Sequence, residues 1–132
     1  MAILALFLSS EVVAQRTQPN SANFERFINQ VYVAEGASQI TPSTRRYTYM
    51  QTLYNDRISY VVYEAEKLRA LNYTKLSQVA LFDTYNKGLT RDASFNPETF
   101  NPFKYWFDYY SKERQYIHVD NTLIVIVIEP QS

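Results

Sequence analysis

The chain has 132 residues and a mass of 15.5 kDa, enough for one hydrophobic core and too few for two. Thirteen Lys plus Arg balance thirteen Asp plus Glu, so no net field draws in nucleic acid or an anionic membrane, and a general DNA or RNA binder is not expected. With no cysteine, disulfides, thiolate nucleophiles and Cys-ligated zinc all drop out, and a single histidine removes most remaining metal and acid–base constellations. Two glycines and five prolines argue against low-complexity disorder, while twelve Tyr, eight Phe and one Trp make amphipathic rings the outlying feature.

Met1 to Ala14 reads MAILALFLSSEVVA, an apolar run from Ala2 to Leu8 followed by polar residues and the small-residue junction Val12-Val13-Ala14-Gln15. This pattern predicts an export signal, or its remnant, over residues 1–14, ahead of one α+β domain over 15–132. The first basic residue is Arg16, so the basic start of such a signal is missing. Either the true start lies upstream, or the segment is a buried first strand or helix. The apolar run is far short of the roughly 20 residues that span a bilayer, and no transmembrane span is expected.

Residues 15–22, QRTQPNSA, read as a loose polar leader. Phe24, Phe27, Ile28, Val31 and Tyr32 then recur on one helical face, with Ser21 placed as a cap and Gly36 as a stop, predicting a helix over 22–34. Thr41-Pro42 is a second start signal, and Tyr47, Met50 and Tyr54 extend it to a helix over about 42–55. Ile58 to Tyr63, ISYVVY, is β-branched and aromatic and reads as a strand. Residues 64–72 suit a helix by propensity, and Leu76, Val79, Leu81, Phe82 and Tyr85 offer apolar cover for a core.

Asn96-Pro97 and Asn101-Pro102 punctuate the next stretch. From Phe103 to Tyr110 every second residue is aromatic: Phe103, Tyr105, Phe107 and Tyr109 on one face, with Lys104, Trp106, Asp108 and Tyr110 on the other. This predicts a half-buried strand, joined by Tyr116–Val119 and Leu123–Ile128 into a three-stranded antiparallel meander. Leu123 to Ile128 is apolar on both faces and requires cover on both, since an open edge of this kind aggregates. The predicted architecture is α+β, two N-terminal helices packed on a mostly antiparallel sheet that ends in the meander.

His118 is the one candidate imidazole, with Asp120 two residues on, and Ser111 or Thr122 would have to serve as nucleophile. No GxSxG elbow or glycine-rich oxyanion loop accompanies them, and a structural histidine is the commoner outcome. Glu64, Glu66, Asp108 and Asp120 are the acids near predicted strands, and each has a basic residue in reach along the chain: Lys67, Lys104 or Arg114. No catalytic residue, metal site or cofactor is therefore expected. The two glycines lie too far apart for a phosphate cradle, and Asn72-Tyr73-Thr74 is a glycosylation sequon that matters only in a eukaryotic secretory host. Trp106, Tyr110 and Tyr116 are the candidate binding residues, because flat amphipathic rings anchor protein interfaces or stack on sugars. The alternative is that the aromatic run lines the core and covers a neighbouring helix.

Phe100-Asn101-Pro102-Phe103-Lys104-Tyr105, then Tyr116 to Thr122 with Val119-Asp120-Asn121-Thr122, and finally Ile124 to Gln131, IVIVIEPQ, carry a likeness. Through these blocks the chain from about Leu76 onward resembles a group of small, exported, uncharacterised proteins of the Bacteroidota. The resemblance covers less than half of the chain. It implies an exported location, in the periplasm, at the outer membrane or secreted, and transfers no activity and no site residues. The expected function is a non-catalytic interaction or structural component of the bacterial cell envelope. It would bind a protein partner through exposed aromatics or a sheet edge, with a carbohydrate-binding module and a small hydrolase as alternatives.

Overall fold

In the computed structural model, which describes residues 15–33 and 40–131, the chain is an α+β protein built on a five-stranded sheet. The strands are β1 (Gln15–Thr17), β2 (Ile58–Val62), β3 (Thr74–Lys75), β4 (Gln115–His118) and β5 (Ile124–Ile128), in the order β1-β2-β5-β4-β3. All neighbours are antiparallel except β3 and β4. The helices are α1 (Phe24–Val31), α2 (Arg45–Thr52) and α3 (Ala65–Ala70). The proposed export signal over 1–14, and the helix stop at Gly36, lie outside the described residues.

The doubly apolar C-terminal strand becomes the central strand, β5, flanked by β2 and β4. Cross-strand pairs Tyr60–Ile126 and Ile126–Ile117 share one face, where Ile58, Ile126 and Ile128 join the core with Phe24, Phe27 and Ile28 of α1 and Met50 of α2. On the other face Val61, Val125 and Val127 pack with Leu68 of α3 and the half-buried rings of Tyr63, Tyr73 and Tyr116. Cover on both faces thus comes from the chain itself. Burying a side chain such as Ile126 is worth roughly 1.5–3 kcal/mol, so this strand is a principal source of stability.

All five predicted apolar positions of the first helix are buried, as are Tyr47, Met50 and Tyr54 of the second. The starts differ from expectation. Asn20, not Ser21, caps the 3-10 turn Ser21–Asn23 that leads into α1, accepting from the Ala22 amide at 2.9 Å. Thr44, not Thr41, caps α2: its hydroxyl accepts from the Tyr47 amide at 3.1 Å and donates to the Thr41 carbonyl at 2.8 Å, which tightens Thr41–Thr44 into a turn. After Thr52 the helix widens into a π-helical turn, Leu53–Arg57, and Ile58 starts β2.

Two further expectations are corrected. Gln15–Thr17 is an edge strand on β2 and not a loose leader, and the Arg16 guanidinium donates to the buried Ser59 hydroxyl across the pair. The segment 103–110 is not a ladder strand. Pro102–Lys104 forms a 3-10 turn because the buried Asn101 side chain accepts from the Phe103 amide at 3.0 Å while donating to the Phe27 carbonyl of α1 at 3.0 Å. Beyond it the chain makes one isolated bridge, Tyr105 to Leu81, and a tight turn in which the Phe107 amide donates to the Tyr105 carbonyl at 2.9 Å. The third antiparallel strand beside β4 and β5 is β2.

Candidate binding cleft

Although it pairs as no strand, the 103–110 segment keeps its alternation. Phe103, Tyr105 and Phe107 are buried, and the Tyr109 phenol turns inward to donate to the Pro102 carbonyl at 2.8 Å. Trp106 and Tyr110 point outward and are 58% and 61% exposed. Lys104, expected on that outer face, is buried instead, with its ammonium 3.1 Å from the Asp92 carboxylate. The 3-10 turn rotates it out of the alternating register.

Both exposed rings line a cleft of about 350 Å³, together with the rest of the aromatic run, Tyr32 at α1's C-terminal end, Arg46 and Met50 of α2, and Phe82. One wall is Trp106, whose ring meets Phe82 edge-on at 4.6 Å and 81°. Tyr110, which also lines the cleft, is stacked on Tyr49 at 5.1 Å and 7°. Such pairs are worth about 0.5–1.5 kcal/mol beyond the area they bury, which holds both rings in place.

Tyr110 is further fixed through its backbone. The Tyr109 carbonyl accepts from the Tyr49 hydroxyl at 2.7 Å and from Arg57 Nη2 at 2.8 Å, while Arg57 Nη1 donates to the Tyr49 oxygen at 2.9 Å and Nε to the Glu129 carbonyl at 3.0 Å. One guanidinium at the end of the π-turn therefore ties α2, the 109–110 turn and the end of β5 together. The Tyr110 amide also donates to Asp108 Oδ1 at 3.1 Å.

The charges lining the cleft are Arg46, whose guanidinium sits 5.7 Å from the Tyr32 ring centroid, and Asp108. Burial pushes the Tyr32 phenol up, with Arg46 pulling partly the other way, and burial raises Tyr109 well above the usual tyrosine range. Both phenols are neutral at physiological pH. Among the described residues the cleft is thus an apolar, aromatic hollow with one cation and one anion, suited to hold an apolar side chain or a flat ring.

Tyr116, the third candidate binding residue, is not part of this cleft. It pairs with Val127 across the sheet and packs on the opposite face beside Val125 and Leu68. His118 and Asp120 do not meet either. His118 lies opposite Val125 on that same second face, its ring 4.9 Å from Tyr73, with Nε2 donating to the Thr122 carbonyl at 2.7 Å. Asp120 lies beyond the end of β4, where its carboxylate accepts from the Ser77 amide at 2.9 Å and hydroxyl at 2.8 Å. Among the described residues no three His, Asp or Glu side chains converge to hold a metal ion.

Sequence reasoning missed Tyr49 and Arg57, which brace the cleft, and Arg46 and Phe82, which line it. None carries a local signal, because the contacts join segments that are distant along the chain. Among the described residues no helix is long and apolar enough to cross a membrane. No family model, curated protein or solved structure matches the chain.

Proposed function

We propose that the chain is a non-catalytic interaction protein of the bacterial cell envelope that binds a protein partner through Trp106 and Tyr110 at the mouth of the aromatic cleft. The observation that carries this reading is the exposure of these two rings, 58% and 61%, on a rigidly braced support. Leaving more than half of a large aromatic side chain in water forgoes about 2–3 kcal/mol of burial per ring. A partner that inserts an apolar side chain into the hollow would recover that energy. Trp, Tyr and Arg are also the residues that dominate protein-interface hot spots, and Arg46 lines the same hollow.

Export belongs to the same reading and rests on the apolar run Ala2–Leu8, the Val12-Val13-Ala14-Gln15 junction and the C-terminal resemblance. A carbohydrate is the second reading, favoured by the exposure of the same rings. It ranks second because each ring packs on a different neighbour, Trp106 on Phe82 and Tyr110 on Tyr49, and the two are not paired into one flat platform. The hydrolase alternative ranks behind both, because His118 donates to the Thr122 carbonyl and Asp120 accepts from Ser77.

The test is affinity purification from native cells of wild type and of a Trp106→Ala/Tyr110→Ala double variant. The expected result is an envelope protein recovered stoichiometrically with the wild type and lost from the folded double variant. Equal recovery with both would refute the assignment, and glycan-array binding lost in the variant with no co-purifying protein would favour the carbohydrate reading.

A further inference from the structure

Tyr105 also lines another cavity, of about 460 Å³, between the 91–95 loop and the turn that joins β4 to β5. That volume falls in the range of roughly 300–1,000 Å³ typical of small-molecule sites. Its apolar side is formed by Phe95, Phe100 and Tyr105, with Phe95 and Phe100 4.9 Å apart and Phe100 stacked on Tyr105 at 5.5 Å and 15°. Its polar side carries two carboxylates, Asp92 and Asp120.

Both carboxylates are held in place by the protein. Asp92 accepts from Lys104 Nζ at 3.1 Å through one oxygen and from the Tyr105 hydroxyl at 2.9 Å through the other. Asp120 takes the Ser77 amide on one oxygen and the Ser77 hydroxyl on the other, and these bonds hold its carboxyl below the usual range. Each carboxylate oxygen has two acceptor sites, so these bonds leave capacity for a ligand. Fixed acceptors of this kind suit neighbouring hydroxyl groups.

Each carboxylate has a cation close by. Lys104 lies 3.1 Å from Asp92 and Lys75 helps to hold the Asp120 carboxyl in its charged form, while Arg91, on the cavity wall, donates to the Leu76 and Val79 carbonyls. With a cation beside each carboxylate, the cavity has little basis for selecting an ion. A neutral ligand with several hydroxyl donors and one apolar face complements both sides at once.

We propose that this cavity binds a neutral, monosaccharide-sized polyol, with Asp92 and Asp120 accepting its hydroxyls and the Phe95 ring under its C–H face. The inference is independent of the protein-binding reading, because Trp106 and Tyr110 take no part in it.

The experiment is an amide chemical-shift titration of the full chain with glucose, galactose, mannose, N-acetylglucosamine and myo-inositol. The expected result is saturable binding of at least one of them, with shifts confined to residues 76–77, 91–95 and 119–122. Asp120→Asn should weaken it about tenfold, equivalent to about 1.4 kcal/mol. Ser94→Trp, which fills the cavity from its rim, should abolish it, and Trp106→Ala should leave it unchanged. Methyl glycosides separate two sources of the same chemistry: retained affinity identifies the end of a glycan chain, and lost affinity a free sugar. No saturable shift with any probe, equal shifts in Ser94→Trp, or binding of inorganic phosphate or choline in place of the sugars would overturn the proposal.

Discussion

Replacing Arg57 by alanine should loosen the binding cleft and the fold together. The guanidinium makes three hydrogen bonds, to the Glu129 carbonyl, the Tyr49 hydroxyl and the Tyr109 carbonyl. At about 1 kcal/mol each, discounted because the half-buried side chain can be replaced in part by water, the loss is about 2 kcal/mol. For a chain of this length that corresponds to a fall in Tm of roughly 6–10 °C. Arg57→Lys keeps the charge but not the planar fork, so it should recover less than half of the loss. The assay is thermal denaturation followed by circular dichroism, paired with NMR of the Tyr110 ring and amide, which should broaden once the Tyr109 carbonyl loses a donor. A melting point within about 1 °C of wild type, with an unaltered Tyr110 signal, would refute the bracing argument.

The other predictions concern the core and the tyrosines. Ile126→Ala, at the fully buried centre of β5, should cost about 2–5 kcal/mol in urea unfolding, whereas Leu123→Ala, 44% exposed at the end of the same hairpin, should cost less than about 1 kcal/mol. Equal costs would contradict the placement of β5 at the middle of the sheet. At alkaline pH, burial pushes both Tyr54 and Tyr105 from the usual 10 up to about 12. Each holds its proton more tightly folded than unfolded, so its contribution is complete below about pH 10 and is lost as pH rises towards 12, at about 1.4 kcal/mol per unit. Stability should therefore fall steeply between those values, and absorbance of ionised tyrosine should rise in a cooperative step with unfolding; smooth titration of all twelve tyrosines near pH 10 would refute it.

The fold class was legible because its signals are local and periodic. Helical spacing marked the buried faces of α1 and α2, and an apolar run with no polar side announced a strand covered on both faces. Turn and pairing errors have a common physical source. Gln15–Thr17 looks like a leader until β2 supplies its partner, and Phe103–Tyr110 alternates like a strand although Asn101 anchors its start to α1 and Leu81 offers it a single bridge. Alternation reports which way side chains face, not whether a neighbouring strand exists. The same limit governs the site. Trp106 and Tyr110 could be picked out as outward rings, yet Tyr116, equally aromatic, packs half-buried on the sheet face of Val125 and Val127, and Arg57 is an unremarkable arginine until the π-turn delivers it to Tyr49.

The most direct test is site-specific photocrosslinking in native cells, with a photoreactive phenylalanine analogue at position 106 and, as a control, at exposed Arg69 on α3. The account predicts one discrete protein adduct from position 106, absent from position 69 and abolished when Tyr110→Ala is added. The same adducts from both positions, or none from position 106, would contradict it.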